Sequence, residues 1–193
     1  MNKNLKHFAS LGLITLGLSG SACADAIIGG PVVSPTGLST ATVEFTGSSA
    51  GYTGDFYFLG WGTQDAVLHF APNTTESDLG QWLFNNHSSQ QGADATLDGL
   101  FESQSVLHFA YEITHPRKKH DVFRTDVSAS ADNFAYDAQT GFYGVEDLRR
   151  SYHGYDGDFN DATFSIAFHQ VPAPGSLALL GLGGLAMSRR RSR

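Results

Sequence analysis

The sequence predicts a mostly β protein, an antiparallel β-sandwich of jelly-roll-like type with one short helix, lying between an N-terminal signal helix and an apolar C-terminal helix. Three observations predict it. Short apolar runs separated by turn residues recur through the middle of the chain. Gly 22 and Phe 14 accompany only 16% charged residues, a balance that suits strands better than helices. Both ends are apolar stretches flanked by basic residues. One Cys in 193 residues excludes a disulfide framework and a cysteine-based zinc site.

The first element is a leader. Lys3 and Lys6 precede an apolar run from Phe8 to Leu18, followed by small residues with Ala22-Cys23-Ala24 or Ala24-Asp25-Ala26 as the cleavage site. As a helix the run would rise only about 16 Å, short of the roughly 30 Å of a bilayer core. Residues 1–26 therefore read as a secretory signal peptide. Gly20 stands three residues before Cys23, where a lipoprotein signal needs Leu or Val, so lipidation is not expected and the mature chain is expected to be cysteine-free.

Residues 27–170 form the working domain. Strands are expected at Ala41 to Thr46, Gly54 to Trp61, Ala66 to Ala71, Ser105 to Thr114, Val122 to Val127 and Ala162 to His169. In the last of these, Phe164, Ile166 and Phe168 alternate with Thr163, Ser165 and Ala167, as a half-buried strand requires. Gly47 to Gly51 and Asn73 to Ser77 read as turns. The one expected helix runs from Ser77 to Asn86, where Leu79, Trp82 and Leu83 share a helical face. Val67-Leu-His-Phe-Ala71 recurs as Val106-Leu-His-Phe-Ala110, two similar strands without matching flanks. Their His69 and His108 would make a metal pair only if the strands were neighbours; the plainer reading sets both on a wetter sheet face.

This domain holds six Lys and Arg against eighteen Asp and Glu, a net charge of −12 beyond the whole-chain −7. Nucleic acid is disfavoured as a partner. The acids concentrate near its end, where Glu146 and Asp147 precede a polar loop and Asp156, Asp158, Asn160 and Asp161 close it. Alternate oxygen-bearing side chains at i, i+2 and i+4 converge on one hard cation, and calcium accepts 6–8 oxygens in flexible geometry. An EF-hand is excluded, because Asp161 and Ala167 stand where its Gly and bidentate Glu belong. The alternative is a tight turn built by Asp-Gly and Asn-Asp pairs, with Arg149 and Arg150 neutralising the acids in place of an ion.

The same stretch resembles a domain of unknown function from exported bacterial surface proteins, patterned as Phe-Glu-Asp, a Gly/polar loop, Asp-x-Asp-x-Asn-Asp and a closing strand. Val145-Glu146-Asp147 and Asp156 to Asp161 carry the resemblance, with Val145 in place of the aromatic. It implies calcium-linked structure rather than catalysis. Elsewhere, His115-Pro-Arg-Lys-Lys-His120 is a basic cluster at an expected hairpin tip, a docking point for an acidic polymer or simply a solvated turn. No Gly-x-Ser-x-Gly, His-Glu-x-x-His or phosphate loop occurs. A two-carboxylate glycosidase stays open, since any two of the acids can meet in space.

The last element, residues 171–193, is Val171-Pro172-Ala173-Pro174, an apolar stretch from Leu177 to Met187 with three glycines, and Arg189-Arg190-Arg191-Ser192-Arg193. A proline hinge, a short greasy segment and an arginine stop hold a terminus at the cytoplasmic side of a membrane. This arrangement resembles the PEP-CTERM sorting tail of Gram-negative bacteria, with Ala173 where the family has Glu. The resemblance implies an exosortase-type partner reading Val171, Pro172, Pro174, Arg189, Arg190 and Arg191. Taken together, the sequence leads to the expectation of a non-enzymatic, exported cell-envelope or matrix protein with a structural calcium loop and contact with extracellular polysaccharide. A secreted polysaccharide hydrolase and a ligand-free matrix component are the alternatives.

Overall fold

Along Ser39–Gly47, Ala41, Val43 and Phe45 are buried while Thr40, Thr42 and Glu44 between them are not, the period-two signature of a strand with one face on a core. Ala162–Gln170 repeats it with Phe164 and Ile166 inside. These two strands pair antiparallel along nearly their whole length, from Thr163 beside Gly47 to Gln170 beside Ser39. The computed structural model describes residues 27–49, 51–71, 79–113 and 121–172. The leader, the His115 to His120 cluster and the tail from Ala173 onward, with Pro174, Arg189, Arg190 and Arg191, lie outside the described residues.

In chain order the strands are β1 (Ile27–Ile28), β2 (Val32–Val33), β3 (Ser39–Gly47), β4 (Gly54–Thr63), β5 (Ala66–Phe70), β6 (Gln81–Asn85), β7 (Asp94–Thr96), β8 (Val106–Ile113), β9 (Asp121–Arg124), β10 (Phe134–Asp137), β11 (Phe142–Val145) and β12 (Ala162–Gln170), with helix α1 (Ser128–Ala131) after β9. One sheet runs β1-β10-β11-β12-β3-β7. The other runs β2-β8-β4-β5, with β6 also on β4 and β9 also on β8. Every recorded pairing is antiparallel.

The two sheets close on an aromatic core. Phe164 of β12 stacks on Phe56 of β4 with centroids 4.0 Å apart, and Phe45 of β3 faces Phe84 of β6 at 6.0 Å. Tyr143 of β11 reaches Phe109 of β8 at 5.3 Å. Offset ring packing of this kind adds to the transfer of large apolar side chains from water. The expected β-sandwich is thus the observed architecture.

The expected helix from Ser77 to Asn86 is not formed where it can be seen, because residues 81–85 are strand β6. The spacing of Leu79, Trp82 and Leu83 that reads as helical arises instead from an irregularity. Phe56 pairs with Phe84 but Tyr57 with Trp82, so Leu83 is the extra residue that turns its neighbours to opposite faces. Gly80 at φ +92 lies outside the right-handed helical region, and a Cβ at this position would strike the Phe58 carbonyl. The described helix is α1, four residues elsewhere. The expected strand from Val122 to Val127 ends at Arg124, where the guanidinium folds back onto Asp126 at 2.7 Å.

Phe164 is 1% exposed and Leu68 is 60% exposed. Urea unfolding of Phe164→Ala is expected to show a loss of about 3–5 kcal/mol, against less than about 0.5 kcal/mol for Leu68→Ala. Equal losses would show that the aromatic stack does not carry the fold.

Candidate metal centre

Strand register assembles the site. Val145, the last residue of β11, pairs with Ala162, the first of β12. Glu146 and Asp147 leaving one strand therefore lie beside Asp161 entering the next. All three are buried, at 1%, 4% and 8% exposure. The intervening chain loops out and returns through Gly154 and Gly157, both at positive φ, and through Phe159, whose left-handed backbone plugs its ring back among the buried residues. This return brings Asp156 and Asp158 to the other side of Glu146.

Two groups of carboxylates result, Glu146 with Asp147 and Asp161, and Glu146 with Asp156 and Asp158. Within each group one oxygen per residue lies within 4.8 Å of the others. Calcium–oxygen distances of about 2.3–2.6 Å place oxygens on opposite sides of an ion roughly 4.6–5.2 Å apart, so either group fits the span of one calcium. An open cleft of about 270 Å³ reaches the site, lined by Gly51, Tyr52, Glu146, Asp147, Asp156 and Asp161 among others.

Backbone, hydroxyl and amide donors fix Glu146, Asp147, Asp158 and Asp161. The Asp147 N–H donates to Asp161 Oδ2 at 2.8 Å, and Ser49 Oγ–H donates to Asp161 Oδ1 at 3.2 Å. The Tyr52 N–H donates to Asp147 Oδ2, and the Gly157 N–H to Glu146 Oε2 at 3.1 Å. Asn160 orients Asp158 by donating both its backbone N–H and its side-chain amide to that carboxylate. Of the two arginines in the loop, Arg149 binds Asp121 at 3.2 Å and lies over Phe123, and Arg150 is exposed. Among the described residues no Lys or Arg forms an ion pair with the cluster.

The supporting frame was not foreseen from sequence. Asn133, buried, donates its amide to the carbonyls of Glu146 and Leu148 at 2.9 and 2.7 Å. Asn86, also buried, ties the 51–54 loop to Asp161 through the carbonyls of Tyr52 and Asp161. Gly51 lies so close that a Cβ would strike the carboxylates of Asp161 and Asp147. All three sit far from the acids in sequence, so their only signal was residue type. His69 and His108 take no part: His69 stacks on Trp61, and His108 Nε2 bonds the Thr63 carbonyl.

Burial and like charge act in the same direction here. Burial first, then Asp161 and Asp156, push the Glu146 carboxyl up to about 8 from an ordinary 4.5. Burial likewise leads in raising Asp147 to about 6, and Asp161 is raised too. Folded carboxylates that hold protons more tightly than unfolded ones contribute stability at low pH, which is lost as pH rises through the folded values. Without divalent cations the mature chain is therefore expected to melt lower at about pH 8.5 than at about pH 5. Glu146→Gln should flatten that dependence; a melting temperature that rises across this interval contradicts the electrostatics.

Comparison with known proteins touches the other end of β12. Residues 170–192 match the PEP-CTERM protein-sorting motif, and the expected tail is confirmed. The chain therefore carries a PEP-CTERM sorting motif, the element that exosortase machinery recognises, which implies export and sorting to the bacterial cell envelope. The match does not extend to residues 144–168. Among the described residues no helix is long and apolar enough to cross a membrane. No curated protein and no solved structure matches the chain.

Proposed function

We propose that this surface-sorted protein is a non-enzymatic envelope or matrix module whose fold is completed by calcium, and that it resides among extracellular polysaccharide. The observation that carries the calcium reading is the burial of Glu146, Asp147 and Asp161 together, with no ion pair to Lys or Arg among the described residues. Buried like charges repel at close range unless they take up protons or a cation. Glu146, Asp147 and Asp161 would hold the ion, Asp156 and Asp158 offer the second set around Glu146, and Asn160 holds Asp158 in place. Convergent oxygens suit a shared ion, whereas a glycosidase sets its two carboxyls about 5 Å or more apart around the sugar bond.

Placement in the fold supports the same reading. β12 begins beside the carboxylates and ends at Gln170, and the Val171 N–H still donates to the Leu38 carbonyl at 2.8 Å. Nine extended residues span about 30 Å, so the sorting motif departs from the pole opposite the site. With that end directed to the membrane, the carboxylates face the exterior. Extracellular calcium modules bind at roughly 10⁻⁴–10⁻³ M.

Ion binding only to the folded state adds its free energy to folding. Calcium at about ten times Kd is expected to raise the melting temperature of the mature chain by about 3–6 °C at pH 8. The rise should shrink near pH 5, where protons occupy the same oxygens, vanish in Asp161→Asn and diminish in Asp158→Ala. An unchanged melting temperature at pH 8 overturns the calcium reading.

A further inference from the structure

The metal centre leaves unused the outer face of the sheet that contains β4, β6 and β8. Register places Tyr57 of β4 between Trp82 of β6 and Ala110 of β8, and Asp55 between Asn85 and Glu112. Side chains of directly opposed residues project to one face, while Phe56 and Phe58 turn to the core. Trp82 is 54% exposed although tryptophan is the largest apolar side chain.

Its exposure is accompanied by fixation. The Trp82 indole N–H donates to Asp55 Oδ1 at 2.9 Å, and the Asn85 amide donates to the same oxygen at 3.1 Å. The Tyr57 hydroxyl donates to Glu112 Oε2 at 2.9 Å. Each ring is thus held by its polar edge, and Asp55, which takes both the indole and the amide on Oδ1, keeps Oδ2 for a further donor.

We propose that this face binds a neutral polysaccharide, with Trp82 as the platform for a sugar ring and the Asp55 carboxylate beside it receiving a sugar hydroxyl. A ligand for this surface must bring a flat C–H face to the indole and O–H donors to the acceptors at its rim, and a pyranose ring carries both. The charge agrees. The domain's net charge of −12 repels anionic polymers, and Arg124, the basic residue that register puts on this face among the described residues, is bonded to Asp126 through two nitrogens. The inference rests on the proposed envelope setting but not on calcium, since β4 pairing alone positions Trp82.

Affinity electrophoresis of the mature chain through gels containing hydroxyethyl cellulose, dextran or galactomannan tests it, with and without calcium. Retardation is expected in at least one gel and should persist in about 0.5 M NaCl, where exposed charge pairs are screened. Trp82→Ala should weaken it about ten-fold or more, Trp82→Tyr less, and Leu68→Ala not at all. Tryptophan fluorescence should respond on titration with the retarding polymer, because the second of the two Trp, Trp61, is stacked against Phe58 and packed edge-on to Phe101. No retardation in any gel, or retardation indifferent to Trp82→Ala when Trp82→Tyr melts like the parent, overturns the proposal. Binding to polylysine that salt abolishes, with none to neutral gels, would assign a cationic partner instead. Retardation without any calcium-induced rise in melting temperature would sink the metal reading and leave this one standing.

Discussion

Mutual repulsion among buried carboxylates is the constraint on which the rest turns. Val145 pairs with Ala162 in the same register that sets Tyr143 beside Phe164 in the core, and that pairing brings Glu146 and Asp147 against Asp161. A sandwich that simply needed a tight corner there would be better served by neutral turn residues. Instead the chain surrounds the acids with Asn86, Asn133, Ser49 and the bare backbone of Gly51, a frame that fixes the oxygens without neutralising them. A buried polar network of this type stabilises the fold only when each member is satisfied.

Much of the architecture was legible because long strands carry their own pattern. Six apolar runs bounded by turn residues, from Ala41 to Thr46 through Ala162 to His169, each fall on a strand, although the run after Val122 ends early at Arg124. β1, β2, β7, β10 and β11 are two to four residues each, too short to show any period. β6 misleads because its irregular pairing with β4 places Leu83 and Phe84 in the core and Trp82 outside, a spacing a helix shares. Spacing pointed to Asp156, Asp158 and Asn160, with Glu146, Asp147 and Asp161 readable only as candidates flanking that loop. The division of the acids into two groups around Glu146 was not legible, since it depends on how Gly157 and Phe159 return the loop.

The terminal sorting motif and the acidic pole stand at opposite ends of one strand, and this polarity links address to chemistry. In the proposed arrangement, with the tail engaged at the membrane, β12 carries the carboxylates outward and the Trp82 face lies along the flank. In this account the module reaches full rigidity only after export.

Calorimetric calcium titration at pH 7, repeated in buffers of different ionisation enthalpy, tests the central claim most directly. With Glu146 titrating at about 8, most of the apo protein holds a proton there, and calcium must displace it. The account predicts saturable binding with release of about one proton per chain. Absence of binding heat in every buffer, or binding without proton release, would contradict it.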